Sequence, residues 1–140
     1  MSYRSNSYTR QRDSSTARRG VNRAATADFS RFPPSTPVLE NDPGDPADWD
    51  LYCNGYLRWP GAVDAHVMRL SVYKRIADVV EVHLATSRDG HSWHRPEGHM
   101  AWIGAARQGL PWQQIYACAG ILPTAAGEWS IYIGVTPRGH

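Results

Sequence analysis

Ser87-Arg88-Asp89-Gly90-His91-Ser92-Trp93 is echoed earlier in the chain by Thr26-Ala27-Asp28-Phe29-Ser30-Arg31-Phe32. In each copy a hydroxyl residue is followed two places on by an Asp, and an aromatic stands four places after that Asp. A short run, Val21 to Ala25 or Val79 to Ala85, leads into the hydroxyl, so each copy reads as strand, tight turn, strand. The physical reason lies in the side chains. Asp28 and Asp89 can accept hydrogen bonds from turn amides, Gly90 tolerates positive φ, and Phe32 and Trp93 can pack beneath the turn against a neighbouring sheet. Asp28, Phe32, Asp89 and Trp93 are therefore expected to be structural turn residues, and the recurrence of the pattern implies a repeated β unit.

At 140 residues and 15.7 kDa the chain has the size of one domain and can bury a real core. Trp (6) and Tyr (7) outnumber Phe (2), a bias that suits sheet packing and equally suits stacking on sugar rings or bases. The net charge of +2 is unevenly spread: Arg4, Arg10, Arg12, Arg18, Arg19 and Arg23 face the single acid Asp13 in the first 23 residues. Residues 1–19 accordingly read as a basic, Ser-rich disordered leader, and no nucleic-acid partner is expected of the folded part. No secretory signal and no run approaching a membrane span occurs, so no membrane partner is expected and a cytoplasmic location is the default. Cys53 and Cys118 form no metal or disulfide spacing and read as half-buried strand thiols. His91, His94 and His99 match no zinc pattern, so neither metal nor cofactor is expected, and two of the three should face water.

Between the corners the punctuation is dense. Pro33, Pro34, Pro37 and Asn41-Asp42-Pro43-Gly44-Asp45-Pro46 make a connection that a helix could not cross. Strands are expected over Asp50 to Trp59, Ala65 to Tyr73 and Val79 to Thr86, with a fourth opening at Trp93 and two more over Gln114 to Leu122 and Trp129 to Val135. Only Val63 to Tyr73 offers a competing helix. Residues 20–48 then read as the outer part of an incomplete blade plus the Pro-rich connection, 49–100 as a complete blade, and 101–140 as an incomplete following blade. A blade of this kind is a four-stranded antiparallel meander.

The succession Arg23-Ala24-Ala25-Thr26-Ala27-Asp28-Phe29, Asp50-Leu51-Tyr52, His83-Leu84-Ala85-Thr86-Ser87-Arg88-Asp89-Gly90, Trp93-His94-Arg95-Pro96 and Arg138-Gly139-His140 resembles proteins related to the five-bladed β-propeller glycoside hydrolases, the relatives of invertase, levanase and arabinanase. The resemblance runs over about residues 18 to 140. It implies an all-β fold, a partial five-bladed propeller of about two to two and a half blades, and hydrolysis of glycosidic bonds in full-length relatives. Such hydrolysis needs two carboxyl groups flanking the scissile bond, one protonated and one ionised. In the family these acids stand on innermost strands, which implies Asp50 as the first catalytic candidate and Glu81 as the second.

Where relatives often carry Trp-Asp, this chain has Trp112-Gln113, and Ala117-Cys118 stands near the family's acid Glu. A carboxamide does not titrate in water, so Gln113 is expected to bind a sugar hydroxyl rather than move a proton. With about half of five blades present, the chain is expected to be a piece of a longer protein, inactive alone, with the missing blades and an oligo- or polysaccharide as partners. The alternative is a non-catalytic carbohydrate-binding module, with Tyr52, Trp59 and Trp112 as stacking platforms and Asn54 and Gln113 as hydroxyl partners. A structural or protein-interaction propeller is the third class.

Overall fold

A computed structural model describes residues 2–8, 18–104, 109 and 111–138, with side chains for 18–96, 98–104, 109 and 111–138. Among the described residues the protein is all-β. Its strands are β1 (Ser2–Tyr8), β2 (Arg19–Ala25), β3 (Thr36–Leu39), β4 (Trp49–Arg58), β5 (His66–Lys74), β6 (Val79–Ser87), β7 (Gln114–Ala117), β8 (Leu122–Ala125), β9 (Glu128–Ser130) and β10 (Ile133–Thr136), with one 3-10 turn at Glu97–His99. In the stretch from Val63 to Tyr73, where a helix could compete, the residues from His66 onward are strand and none is helix. Its β-branched and alternating residues pair on both sides, with β4 and with β6.

Three sheets result: β1-β2-β3, the five-stranded β10-β7-β6-β5-β4, and the hairpin β8-β9. The larger sheet is mixed, because β6 and β7 run parallel while its other pairs are antiparallel, and it curls into a half-barrel. The curl carries edge strand β4 onto the end of β7. A Cβ built on Gly55 would lie 3.3 Å from the carbonyl oxygens of both Ala117 and Cys118, so glycine there eases that close approach.

The chain departs from its sequence reading in several places. Ser2–Tyr8, within the expected disordered leader, pair with β2 from Ser2–Ala25 to Tyr8–Arg19, a main-chain ladder that needs no apolar side chains; residues 9–17 lie outside the described residues. The fourth strand expected at Trp93 is a single bridge, His94 to Thr86. Pro96, which cannot donate, and Gly98 and His99 at positive φ stop it there. The edge of β6 that it would have covered takes Ile103 against Val82 and the Gln113 carbonyl against the Val80 amide. Consequently β7 and β10, expected in the following blade, join the sheet of β4–β6 and make it mixed rather than purely antiparallel. Leu122–Ala125, expected as the end of one strand and the start of a loop, forms half of the β8-β9 hairpin around Gly127.

Alternation along β4–β6 divides the large sheet into two faces. Leu51, Met68, Leu70, Val72 and Ala85 point to one, where Val21 and Leu39 of the smaller sheet complete the core. Fully burying side chains of this size stabilises the fold by about 1.5–3 kcal/mol each, so this face sets how the two sheets pack. The other face carries Asp50, Arg69, Ser71, Tyr73, Val80 and Val82.

Candidate functional site

Both corners form as the spacing requires. Asp28 accepts hydrogen bonds from the amides of Ser30 (3.0 Å) and Arg31 (3.3 Å), and Asp89 accepts from those of His91 and Ser92 (both 2.7 Å). The hydroxyls of Thr26 and Ser87 donate to the same carboxylates and accept the Asp amides. The bonds from Ser30 and Arg31 hold Asp28 below the usual carboxylate range, and those from His91 and Ser92 hold Asp89 far below it. Phe29, with φ 59, occupies the place that Gly90, with φ 72, takes in the second corner. The aromatics differ. Trp93 is half-buried against Tyr56 (ring centroids 6.0 Å) and donates its indole N–H to Gly90 O, whereas Phe32 is 42% exposed and meets Phe29 edge-on.

The two candidate acids do not converge. Asp50 pairs with Tyr73, and Tyr73 with Val80; Glu81 pairs with Val72, and Val72 with Leu51. These rows are adjacent and point to opposite sides of the sheet, so the carboxylates are separated by its backbone. Each is also engaged. Asp50, 4% exposed, accepts the Arg19 amide at 3.0 Å and so ties the start of β2 to β4. Glu81 sits beside His83 (3.8 Å) and in ion-pair contact with Lys74; those two neighbours outweigh its burial and hold its carboxyl at about 2.

The expected substrate-binding residues are likewise dispersed. Tyr52 lies on the Asp50 face at a bulge, its ring covered by the Arg19 guanidinium (4.5 Å) and flanked by Tyr73 and Tyr116. Asn54, opposite Leu70, points to the core side. Trp112 is half-buried ahead of β7. Gln113 is exposed, but its main chain is bound at both ends, donating to Thr136 O and accepting from Val80 N. Cys53 is half-buried in β4, whereas Cys118 is exposed and lies just past β7 rather than within a strand.

What the fold does bring together is a pair of indoles. Trp59 continues β4 beyond Arg58, its amide donating to Ala65 O at 2.8 Å, and Trp129 projects from β9. Their centroids lie 6.4 Å apart at 46°, with 41% and 44% of their surfaces exposed. Leu122 on β8, Tyr132 just past β9 and Ile133 at the start of β10 are exposed as well. Trp59 was one of the aromatics expected as stacking platforms. Trp129 was not, because its meeting with Trp59 depends on the β8-β9 hairpin folding back toward the end of β4.

Two further polar groupings stand out. A cleft of about 530 Å³ beside the second corner is lined by His66, Ser87, Arg88, Asp89, Ser92 and His94, but Ser87 and Asp89 are spent on the turn and His66 Nδ1 meets Tyr56 Oη at 2.9 Å. Asp42, Asp45 and His99 bring ligand-type atoms within 4.8 Å of one another. Arg95 already supplies the cation there: its Nη1 pairs with both carboxylates, while His99 Nδ1 and Nε2 contact Asp45 (2.8 Å) and Asp42 (3.0 Å). Burial would raise the Asp45 carboxyl, but Arg95 and His99 hold it below the usual range. The cluster thus fastens the 3-10 turn to the Pro-rich connection. No family model, curated protein or solved structure matches the chain.

Proposed function

We propose that this chain binds carbohydrate through Trp59 and Trp129 without cleaving it, on a scaffold that forms part of a β-propeller related to the five-bladed glycoside hydrolases. The observation that carries this reading is the exposed indole pair at 6.4 Å. A pyranose has an apolar face of C–H groups, and two half-exposed aromatic rings held by strands offer that face a platform with little side-chain entropy left to lose. The matched corners at Thr26–Phe32 and Ser87–Trp93 support the propeller relationship. Hydrolysis is the weaker reading, because a glycosidic bond must lie between its two carboxyl groups and Asp50 and Glu81 occupy opposite faces of one sheet.

Titration calorimetry of the purified chain against neutral oligosaccharides tests the proposal. At least one glycan should bind saturably, Trp59→Ala and Trp129→Ala should each weaken it about tenfold, and no reducing ends should appear on prolonged incubation. Binding untouched by both substitutions, or release of product, contradicts the reading.

A further inference from the structure

Arg69 sits on β5 with only 2% of its surface exposed. Its Nη2 donates to Gly120 O at 2.6 Å, but Nε and Nη1 are buried without a hydrogen-bond partner. No carboxylate among the described residues lies within ion-pair distance of it. Two places along the same strand, and therefore on the same face, Ser71 is fully buried and its Oγ is also unpartnered. A lone buried cation is strongly disfavoured, and burial accordingly pushes the Arg69 guanidinium below its usual range.

The surroundings are arranged around this cation. Gly55 lies opposite Arg69 on β4, and a Cβ there would come within 3.4 Å of Arg69 Nε. Beside the same point are Cys118, whose carbonyl would lie 3.3 Å from that Cβ, and Gly120, both exposed, so the guanidinium lies beneath a surface loop. Arginine offers five N–H donors in a planar fork that matches the oxygens of carboxylate, sulfate or phosphate, and a serine hydroxyl adds one more.

We propose that Arg69 and Ser71 form the donor side of an oxyanion-binding site inside the half-barrel, entered past Cys118 and Gly120. The ligand is one small oxyanion group, carried either by an inorganic ion or by the acid group of a sugar. The proposal is independent of the tryptophan platform, and a chain that binds no neutral sugar can still bind an oxyanion here.

Thermal unfolding at constant ionic strength, with sulfate, phosphate or glucuronate replacing chloride, tests it. Wild type should show a saturable rise in Tm, about 5 °C or more at a hundred times Kd. The inorganic and glucuronate arms distinguish the two sources, and saturable binding in either supports the site. Arg69→Met keeps the volume and removes the charge; it should fold and lose the oxyanion response while keeping the response to a neutral oligosaccharide. Ser71→Ala should fold and bind the oxyanion several-fold more weakly, so the proposal remains testable if Arg69→Met does not fold. An equal Tm rise in wild type and Ser71→Ala, or no saturable rise in wild type, overturns it.

Discussion

Two arginines are buried in this protein, and the charges around them differ. Arg95 keeps 5% exposure and Arg69 2%. Arg95 faces Asp45, itself buried, and Asp42, with His99 bridging the same two carboxylates. Arg69 faces a carbonyl oxygen and a serine hydroxyl that it does not reach. The first arrangement neutralises its cation with two carboxylates of the fold itself, although Arg95 Nε and Nη2 are buried without a hydrogen-bond partner as well. The second leaves a buried cation with no carboxylate beside it among the described residues, and its unpartnered Nε and Nη1 are the donors that the proposed oxyanion would take.

The largest effect that separates the two should come from replacing each by methionine. Arg95→Met takes the buried cation from the Asp45 carboxylate, which keeps His99 and the Asp42 amide, and should lower stability in urea unfolding by about 3–5 kcal/mol, whereas Arg69→Met leaves no buried charge uncompensated and should be neutral or stabilising. A destabilisation by Arg69→Met equal to that of Arg95→Met would erase the contrast.

Acid sharpens the same difference. Asp45 and Glu81 have folded-state carboxyls depressed below their ordinary values, so their contribution is present above those values and lost as pH falls. For Glu81 the loss runs from its ordinary 4.5 down to about 2. Stability curves between pH 6 and 2 should therefore flatten in Glu81→Gln and in Asp45→Asn, and keep the wild-type slope in Arg69→Met.

A smaller effect distinguishes the corners. Phe29 and Gly90 share a left-handed backbone, but only glycine adopts it without strain. Phe29→Gly should stabilise the protein by about 1 kcal/mol, and Gly90→Ala, whose Cβ would also press on the His66 ring at 3.4 Å, should cost about as much. Smallest of all, Trp59→Ala and Trp129→Ala should change stability by less than about 1 kcal/mol, because both rings are already largely in water.

The sequence carried the corners because their chemistry is local. A hydroxyl, an Asp and the intervening amides lie within a few residues, so spacing alone specifies the bonds that form. The strands β2, β4, β5 and β6 were legible for the same reason, from short-range alternation. What spacing could not convey was which face each strand shows to what. The second face of β5, Val67, Arg69, Ser71 and Tyr73, looks from sequence like a mixed, half-wet surface; the curl that brings β7 and its following loop over Arg69 depends on the bulge in β4 and on Gly55. Nor could it show that Asp50 and Glu81 sit in adjacent rows and so oppose one another across the sheet. The resemblance to propeller hydrolases pointed to acids; tertiary structure gave Asp50 and Glu81 ion pairs and anchoring bonds instead.

Sugar binding at Trp59 and Trp129 is tested most directly by indole N–H signals in a two-dimensional NMR titration with a neutral oligosaccharide. Six such signals are expected from the six tryptophans. The account predicts that those of Trp59 and Trp129, assigned by substitution, shift together and saturate while that of Trp93, bound to Gly90 O, stays in place. Shifts confined to Trp112 or Trp102, or no shift with any glycan that the chain retains, would contradict it.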